Sequence, residues 1–254
     1  MPDPGLTGEL TALGVEPGAT LLVHAALRHT GLAADTLRDA LVTAVGPGGT
    51  LVLPAFTPAN STTSRAHLDR IDGMSAEQAR EFRERMPAFD PAVTPSEGMG
   101  RLAESVRTAA GAVRSAHPQT SFTALGGRAA ELLAHHPLTS HLGWDSPLGA
   151  LHRAGARVLM INVDFSVCTA FHLAEYHPSA PRRAYSCVVR QPDGGKKWTT
   201  YEDVVLDDTE FDTIGADLPP RLVRTGQLGG ARARLFPIKE AVRHADRWMS
   251  EKRR

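Results

Sequence analysis

Between Cys168 and His177 the chain reads CTAFHLAEYH, which gathers two histidines, a glutamate, a tyrosine and a cysteine. Four chemistries fit such a cluster. His172 and Glu175 stand three residues apart, so on a helix they share one face. A carboxylate beside an imidazole fixes its tautomer and raises its basicity, which suits a general base deprotonating an amine or hydroxyl that attacks a carbonyl. Zinc is a second reading, because HxxExH resembles the inverted zincin pattern. In a regular helix, however, His177 lies about 140° round from His172, too far for both to hold one ion, unless Pro178 breaks the helix. A third is Cys168 as nucleophile with His172 four residues on, which needs an exposed, electropositive thiol. The fourth is a solvated His–Glu pair on a helix surface, the commoner fate of this spacing. On local spacing alone the solvated pair leads, ahead of the general base, with zinc and the thiol behind both.

The elements around the cluster are easier to read. ARVLMINVD (156–164) is an apolar run of the kind that makes a strand buried on both faces, and it delivers the chain straight into the cluster. In α/β sheets, ligands and catalytic groups gather where strands end. Upstream, LTGELTALGV (6–15) predicts a helix, ATLLVHAAL (19–27) a strand, and DTLRDALVTAVG (35–46) a helix with Asp35 as N-cap and Gly46 as its stop. GTLVLPAF (49–56) then predicts a second strand, parallel to the first. Residues 57–97 lose this rhythm. Pro, Ser, Thr and charges take over, with one charged helix at 75–86, as in an inserted lid or a surface insertion. Helices are expected at 99–111, 128–136 and 146–155, the last with Ser146 as N-cap and Pro147 at its first position. TAFHLAEYH reads as a helix start. Two strands flanking PDGG form a late hairpin, and IKEAVRHADRWMSEKRR closes the chain as a helix. The fold class expected is α/β: a central mixed β-sheet flanked by helices, with a late antiparallel hairpin and the inserted 57–97 region, all in a single domain over 1–254.

Composition narrows the function classes. Lys plus Arg and Asp plus Glu are equal at 28 each, so no net field recruits nucleic acid or an anionic membrane. No apolar run is long enough for a membrane span, and MPDPGLTGEL lacks the charge and apolar core of a secretory signal. Two cysteines make no disulfide framework. A cytoplasmic protein with reduced thiols is the expectation.

Five stretches together resemble the aminoglycoside 3-N-acetyltransferase family, the antibiotic N-acetyltransferases unrelated to the GNAT fold. They are LLVHAALRHTG, GTLVLPAFT, MGRLAESVRTAAGAVRSAHPQTSFTALG, LGWDSPLGALHRAGARVLMINVDFSVCTAFHLAEY and YEDVVLDDTEFDTIG. The likeness covers nearly the whole chain, and its RS-HP-S and T-H-AE blocks are the specific signals. It implies acetyl-CoA as cosubstrate, an amine as acceptor and no metal. It places the family's paired His and Glu on His172 and Glu175, with direct attack of the amine on the thioester, and Thr169 as a hydrogen-bond donor to the developing oxyanion or leaving sulfur. Cosubstrate contacts would come from His24, Ala25, Ala26 and Leu27, and from Arg114, Ser115, His117, Ser121 and Phe122. Where the family has two serines after the histidine, this chain has Ala25 and Ala26, which removes hydroxyl contacts and leaves backbone ones.

An aminoglycoside is a polycation, so its site needs carboxylates. Residues 202–217 hold seven and no basic residue, though a solvated acidic face is the usual fate of such a run. Asp207, Asp208 and Glu210 from this run, with Asp90, Asp145 and Asp164 near motif loops, are the acceptor candidates, and 57–97 is a candidate acceptor-side insertion. Family likeness does not fix the acceptor. Acetylation of another small amine in biosynthesis, or a non-catalytic protein that holds CoA or an amine, are the alternatives. A homodimer is the expected assembly.

Overall fold

A computed structural model describes residues 3–253. Nine strands form two sheets. The main sheet holds seven: β1 (Thr20–Ala25), β2 (Thr50–Pro54), β3 (Val113–Arg114), β4 (Phe122–Gly126), β5 (Arg157–Ile161), β8 (Arg224–Leu228) and β9 (Ala231–Pro237), in the order β3-β4-β2-β1-β5-β9-β8. Its centre is parallel, since β1 pairs with β2 on one side and β5 on the other, and the remaining pairings are antiparallel. This is the mixed, helix-flanked sheet expected from the sequence.

Alternation along the central strands builds two cores. Leu21, Val23, Leu51, Leu53, Leu159 and Ile161 face the helices at Pro4–Leu13, Ala34–Val45 and Gly100–Arg107. Leu22, Val52, Val158 and Met160 face the other layer, which includes the helices at Pro147–Arg153, Phe211–Ala216 and Ile238–Lys252. Because β1, β2 and β5 are covered on both faces, their ends have one exit, the loops beyond Ala25, Pro54 and Ile161.

Local differences from expectation have identifiable causes. The first helix starts at Pro4, earlier than expected, because Asp3 caps it, accepting from the Gly5 and Leu6 amides. Asp35 lies inside the second helix and pairs with Arg38, so the cap falls on Ala33, whose side chain makes no capping bond. Ser146 and Pro147 open their helix as expected. The segment Thr169–Glu175 is a run of 3-10 turns rather than an α-helix. In 3-10 geometry residues three apart eclipse each other, which stacks Glu175 directly on His172. Residues 57–97 fold as a short 3-10 turn and two helices, Arg65–Ile71 and Ala76–Arg85, the second opened by a capping box between Ser75 and Gln78.

The late hairpin, β6 (Arg182–Arg190) and β7 (Lys196–Val204), forms its own two-stranded sheet. A lone hairpin is marginal in water. This one is pinned by a buried polar node: Asp203 accepts from the His141 amide at 2.7 Å, the Tyr176 hydroxyl at 2.9 Å and the His141 ring at 2.6 Å.

Candidate active site

The loops beyond β1, β2 and β5 enclose a cavity of about 760 Å³. Its walls are residues 23–29, Leu53, Pro54 and Phe56, residues 98–103, and a third side made by Val163, Ser166, Val167, Thr169, His172, Asp208 and Phe211. The β1 loop is held from below. The Ala26 amide donates to the Ile161 carbonyl, and Asn162, in a left-handed conformation, donates its side-chain amide to the Ala26 carbonyl at 2.8 Å. Opposite, Gly100 sits at φ +84, and a Cβ there would come within 3.2 Å of the Ala25 carbonyl oxygen. Only glycine lets the helix N-terminus approach the loop this closely.

His172 forms one wall of the cavity. Its Nδ1 lies 2.7 Å from Glu175 Oε2, and its ring packs edge-on against Phe211. A carboxylate oxygen accepts, so Nδ1 is the donor in this contact and Nε2 is the ring nitrogen left for another partner. The Glu175 side chain is 5% exposed and fully engaged: Oε1 accepts from Arg253 Nη1 at 2.8 Å and from the Asp207 amide at 3.0 Å. A buried carboxylate held by three donors cannot rotate freely. Thr169 also lines the cavity, and its hydroxyl makes one long bond, 3.5 Å, to the Val167 carbonyl. The solvated surface pair is therefore not what forms here.

Cys168 is fully buried in the apolar layer, and burial pushes its thiol up to about 12, so it stays a protonated core residue. His177 is exposed and bonds Ser179. Among the described residues no group of three or more His, Cys, Asp or Glu side chains is arranged to hold a metal ion.

The other sequence-derived candidates separate into two sets. His24, Ala25, Ala26 and Leu27 line the cavity. His24 is buried, which lowers its ring to about 4 and keeps it neutral. Arg114, Ser115, His117, Ser121 and Phe122 stand behind the wall. Arg114 donates to the carbonyls of Thr94 and Ala55 and to Ser121, whose hydroxyl also bonds the Ala55 carbonyl. Burial lowers its guanidinium to about 10. Ser115 bonds His136 and the Phe122 amide. His117 accepts from the Gln119 and Thr120 amides, and Phe122 packs edge-on against Phe56. This block braces Ala55 and Phe56, and through them the cavity.

Of the acidic candidates, Asp208 lines the cavity, and no hydrogen bond or ion pair joins its carboxylate to another described residue. Asp207 accepts from Thr209, which holds its carboxyl below the usual range, and Glu210 pairs with Arg253. Asp90 pairs with Arg190 and Asp164 with Arg232, both off the cavity, and Asp145 is exposed elsewhere. Residues 57–97 do not line this cavity; Phe56 and Gly98, which flank them, do.

Some groups were not legible in the sequence. Arg28 and Arg101 bring positive charge to the cavity, and the Gly100–Arg107 helix presents an N-terminus whose first turn no side chain caps. Open N–H groups with two cations suit an anionic ligand. What the sequence offered was GMGRL, in which Gly98 precedes the helix and Gly100 opens it. For Arg253, 78 residues from Glu175, no local signal existed.

A helix N-terminus, two arginines and a His–Glu pair around one cavity at the ends of parallel strands call for comparison with known proteins. Residues 22–250 match the family model described as aminoglycoside 3-N-acetyltransferase. The chain belongs to this family. The aminoglycoside N(3)-acetyltransferase VII of Streptomyces paromomycinus is 33% identical over 97% of this chain and 91% of its own. The SPbeta prophage-derived aminoglycoside N(3')-acetyltransferase-like protein YokD of Bacillus subtilis (strain 168) is 33% identical over 96% of this chain and 90% of its own. The crystal structure of YokD superposes with a TM-score of 0.90, at 32% identity, covering 98% of each chain. A binary complex of AAC-IIIb with CoASH superposes at 0.84, with 28% identity over 97% of this chain and 95% of that one. This aminoglycoside 3-N-acetyltransferase family member is thus an acyltransferase, and acetyl-CoA is the family's cosubstrate. The residues present fit that cosubstrate: the cavity has the volume of a large ligand, with Arg28, Arg101 and the uncapped N-terminus suited to its phosphates.

Proposed function

We propose that this protein acetylates the 3-amino group of an aminoglycoside, with His172 as general base and Glu175 as its orienting partner. The observation that carries the reading is the 2.7 Å His172–Glu175 contact in the wall of the cavity. His172 Nε2 takes the proton from the acceptor nitrogen as a C–N bond forms to the thioester carbonyl carbon. The C–S bond breaks, and the imidazolium returns a proton to the departing thiolate. Thr169 donates a hydrogen bond to the oxygen that gains charge. Asp208 takes one acceptor ammonium group. We place this activity in the cytoplasm, where acetyl-CoA is made and both thiols stay reduced, and expect a homodimer, which light scattering tests.

A second reading, acetylation of a smaller amine, draws on one observation: Asp208 stands alone among the six acidic candidates in lining the cavity, a thin grip for a polycation. Release of CoA thiol from acetyl-CoA, measured across aminoglycosides and simple amines, separates the two. Aminoglycoside turnover with 3-N product by NMR supports the first reading. Turnover with simple amines alone replaces it.

A further inference from the structure

We infer that Arg253 is a positioning residue for the reaction, holding the Glu175 carboxylate in the one orientation that presents His172 to the acceptor. The inference rests on the general-base reading of His172.

Arg253 follows the closing helix Ile238–Lys252, which packs its apolar side on the layer containing Phe171 and Leu173. Its backbone continues the helix by one bond, from its amide to the Met249 carbonyl at 2.9 Å. Its side chain then turns inward, to 24% exposure, and spends all three guanidinium nitrogens. Nη1 donates to Glu175 Oε1 at 2.8 Å, Nη2 to the Asp207 carbonyl at 2.8 Å, and Nε to Glu210 Oε2 at 2.6 Å. The Asp207 amide donates to the same Glu175 oxygen. One planar cation therefore ties the 3-10 segment carrying the dyad to the acidic loop that carries Asp208. A guanidinium does this because its donors are fixed in a fork; an ammonium offers a point charge that satisfies one partner well and three poorly.

The consequence for the dyad is geometric. Glu175 has two oxygens, and His172 uses one. Were the other held by the Asp207 amide alone, the carboxylate could swing about χ3, and the imidazole would follow. Arg253 also supplies the counter-charge that a carboxylate at 5% exposure requires. Misplacing a base by about an ångström can cost on the order of a hundredfold in rate without touching substrate affinity. Arg253 touches no cavity wall, so its effect should fall on kcat.

The test uses the full-length enzyme with Arg253→Ala, Arg253→Lys and His172→Ala, each assayed by CoA thiol release with acceptor and acetyl-CoA varied. Arg253→Ala is expected to lower kcat about tenfold or more, with the acetyl-CoA KM within about twofold. Arg253→Lys should recover part of the loss, and millimolar guanidinium should raise the turnover of Arg253→Ala but not of the parent. A purely structural anchor would instead lower the melting temperature and raise both KM values, with no rescue by guanidinium. That outcome, or parent-like kcat in Arg253→Ala, overturns the inference. His172→Ala separates the two levels. If it keeps parent turnover, the general-base reading itself fails. If it loses turnover while Arg253→Ala does not, only the role of Arg253 fails.

Discussion

Replacing Glu175 with Gln removes one charge and changes almost nothing in shape, so it tests the dyad directly. The carboxylate accepts from three donors: His172 Nδ1 on Oε2, and Arg253 Nη1 with the Asp207 amide on Oε1. A glutamine has one oxygen and one NH2. Its oxygen will face the side with two donors, one of them charged, because leaving a buried cation facing an NH2 costs more than leaving an imidazole there. The NH2 then points at His172 Nδ1. The imidazole answers by moving its proton from Nδ1 to Nε2, which leaves no lone pair on the nitrogen that serves as base. A positioned base is worth about 10² to 10⁴ in rate, so the expected loss in kcat is about a thousandfold, or about 4 kcal/mol of barrier. Acetyl-CoA KM should change by less than about threefold, because Glu175 lines no part of the cavity. Thiol release gives kcat, and thermal denaturation confirms that the variant is folded. Turnover within about fivefold of the parent in a folded Glu175→Gln enzyme would refute the tautomer argument and the role of Glu175 with it.

His172→Ala should lower kcat at least about a hundredfold, in line with loss of a general base; steady-state kinetics with the same acceptor checks it. Asp208→Asn should raise the acceptor KM about threefold to fivefold and leave that of acetyl-CoA alone, with the difference shrinking as salt is added, because the group is exposed. Gly100→Ala forces a Cβ towards the Ala25 carbonyl at positive φ; it should cost about 1–2 kcal/mol in denaturant titration and raise the acetyl-CoA KM. Stability should also fall on acidification. His24 and His136 are buried, which lowers them to about 4 and about 3, so the native state leaves them neutral while the unfolded chain protonates near 6.5. The unfolded state then binds more protons below that pH. Each histidine removes on the order of 1.4 kcal/mol between pH 7.5 and 5.5. Equal stability at the two values would contradict their burial as neutral groups.

The sheet centre was legible because burial on both faces leaves an uninterrupted apolar run, as in residues 158–161, and because Gly46 and the Pro47–Gly49 turn punctuate the βαβ unit. The β8–β9 hairpin was not. Exposed Arg232 and half-buried Arg234, which lies over the Phe165 ring, break the apolar run, and the one clear signal was Gly229–Gly230, both at positive φ. The His172–Glu175 pair was visible as a spacing, but its burial was not, since a solvated surface helix would produce the same letters. Glu175 is instead enclosed by Arg253 and the Asp207 amide, both supplied from far along the chain. The RS-HP block shows the opposite limit: its residue types suit a phosphate or an amide ligand, but its donors are spent on the protein's own carbonyls.

The polar node that seats the β6–β7 hairpin includes Tyr176, the neighbour of Glu175 in the chain. Opening that hairpin would break the Tyr176–Asp203 bond and loosen the backbone on which Glu175 is mounted. Substitutions at Asp203 or His141 can therefore slow turnover while every residue in contact with substrate is intact. Selection on catalytic rate would then reach residues buried well away from the cavity, and drift in the hairpin becomes a way to retune the enzyme without rebuilding its pocket.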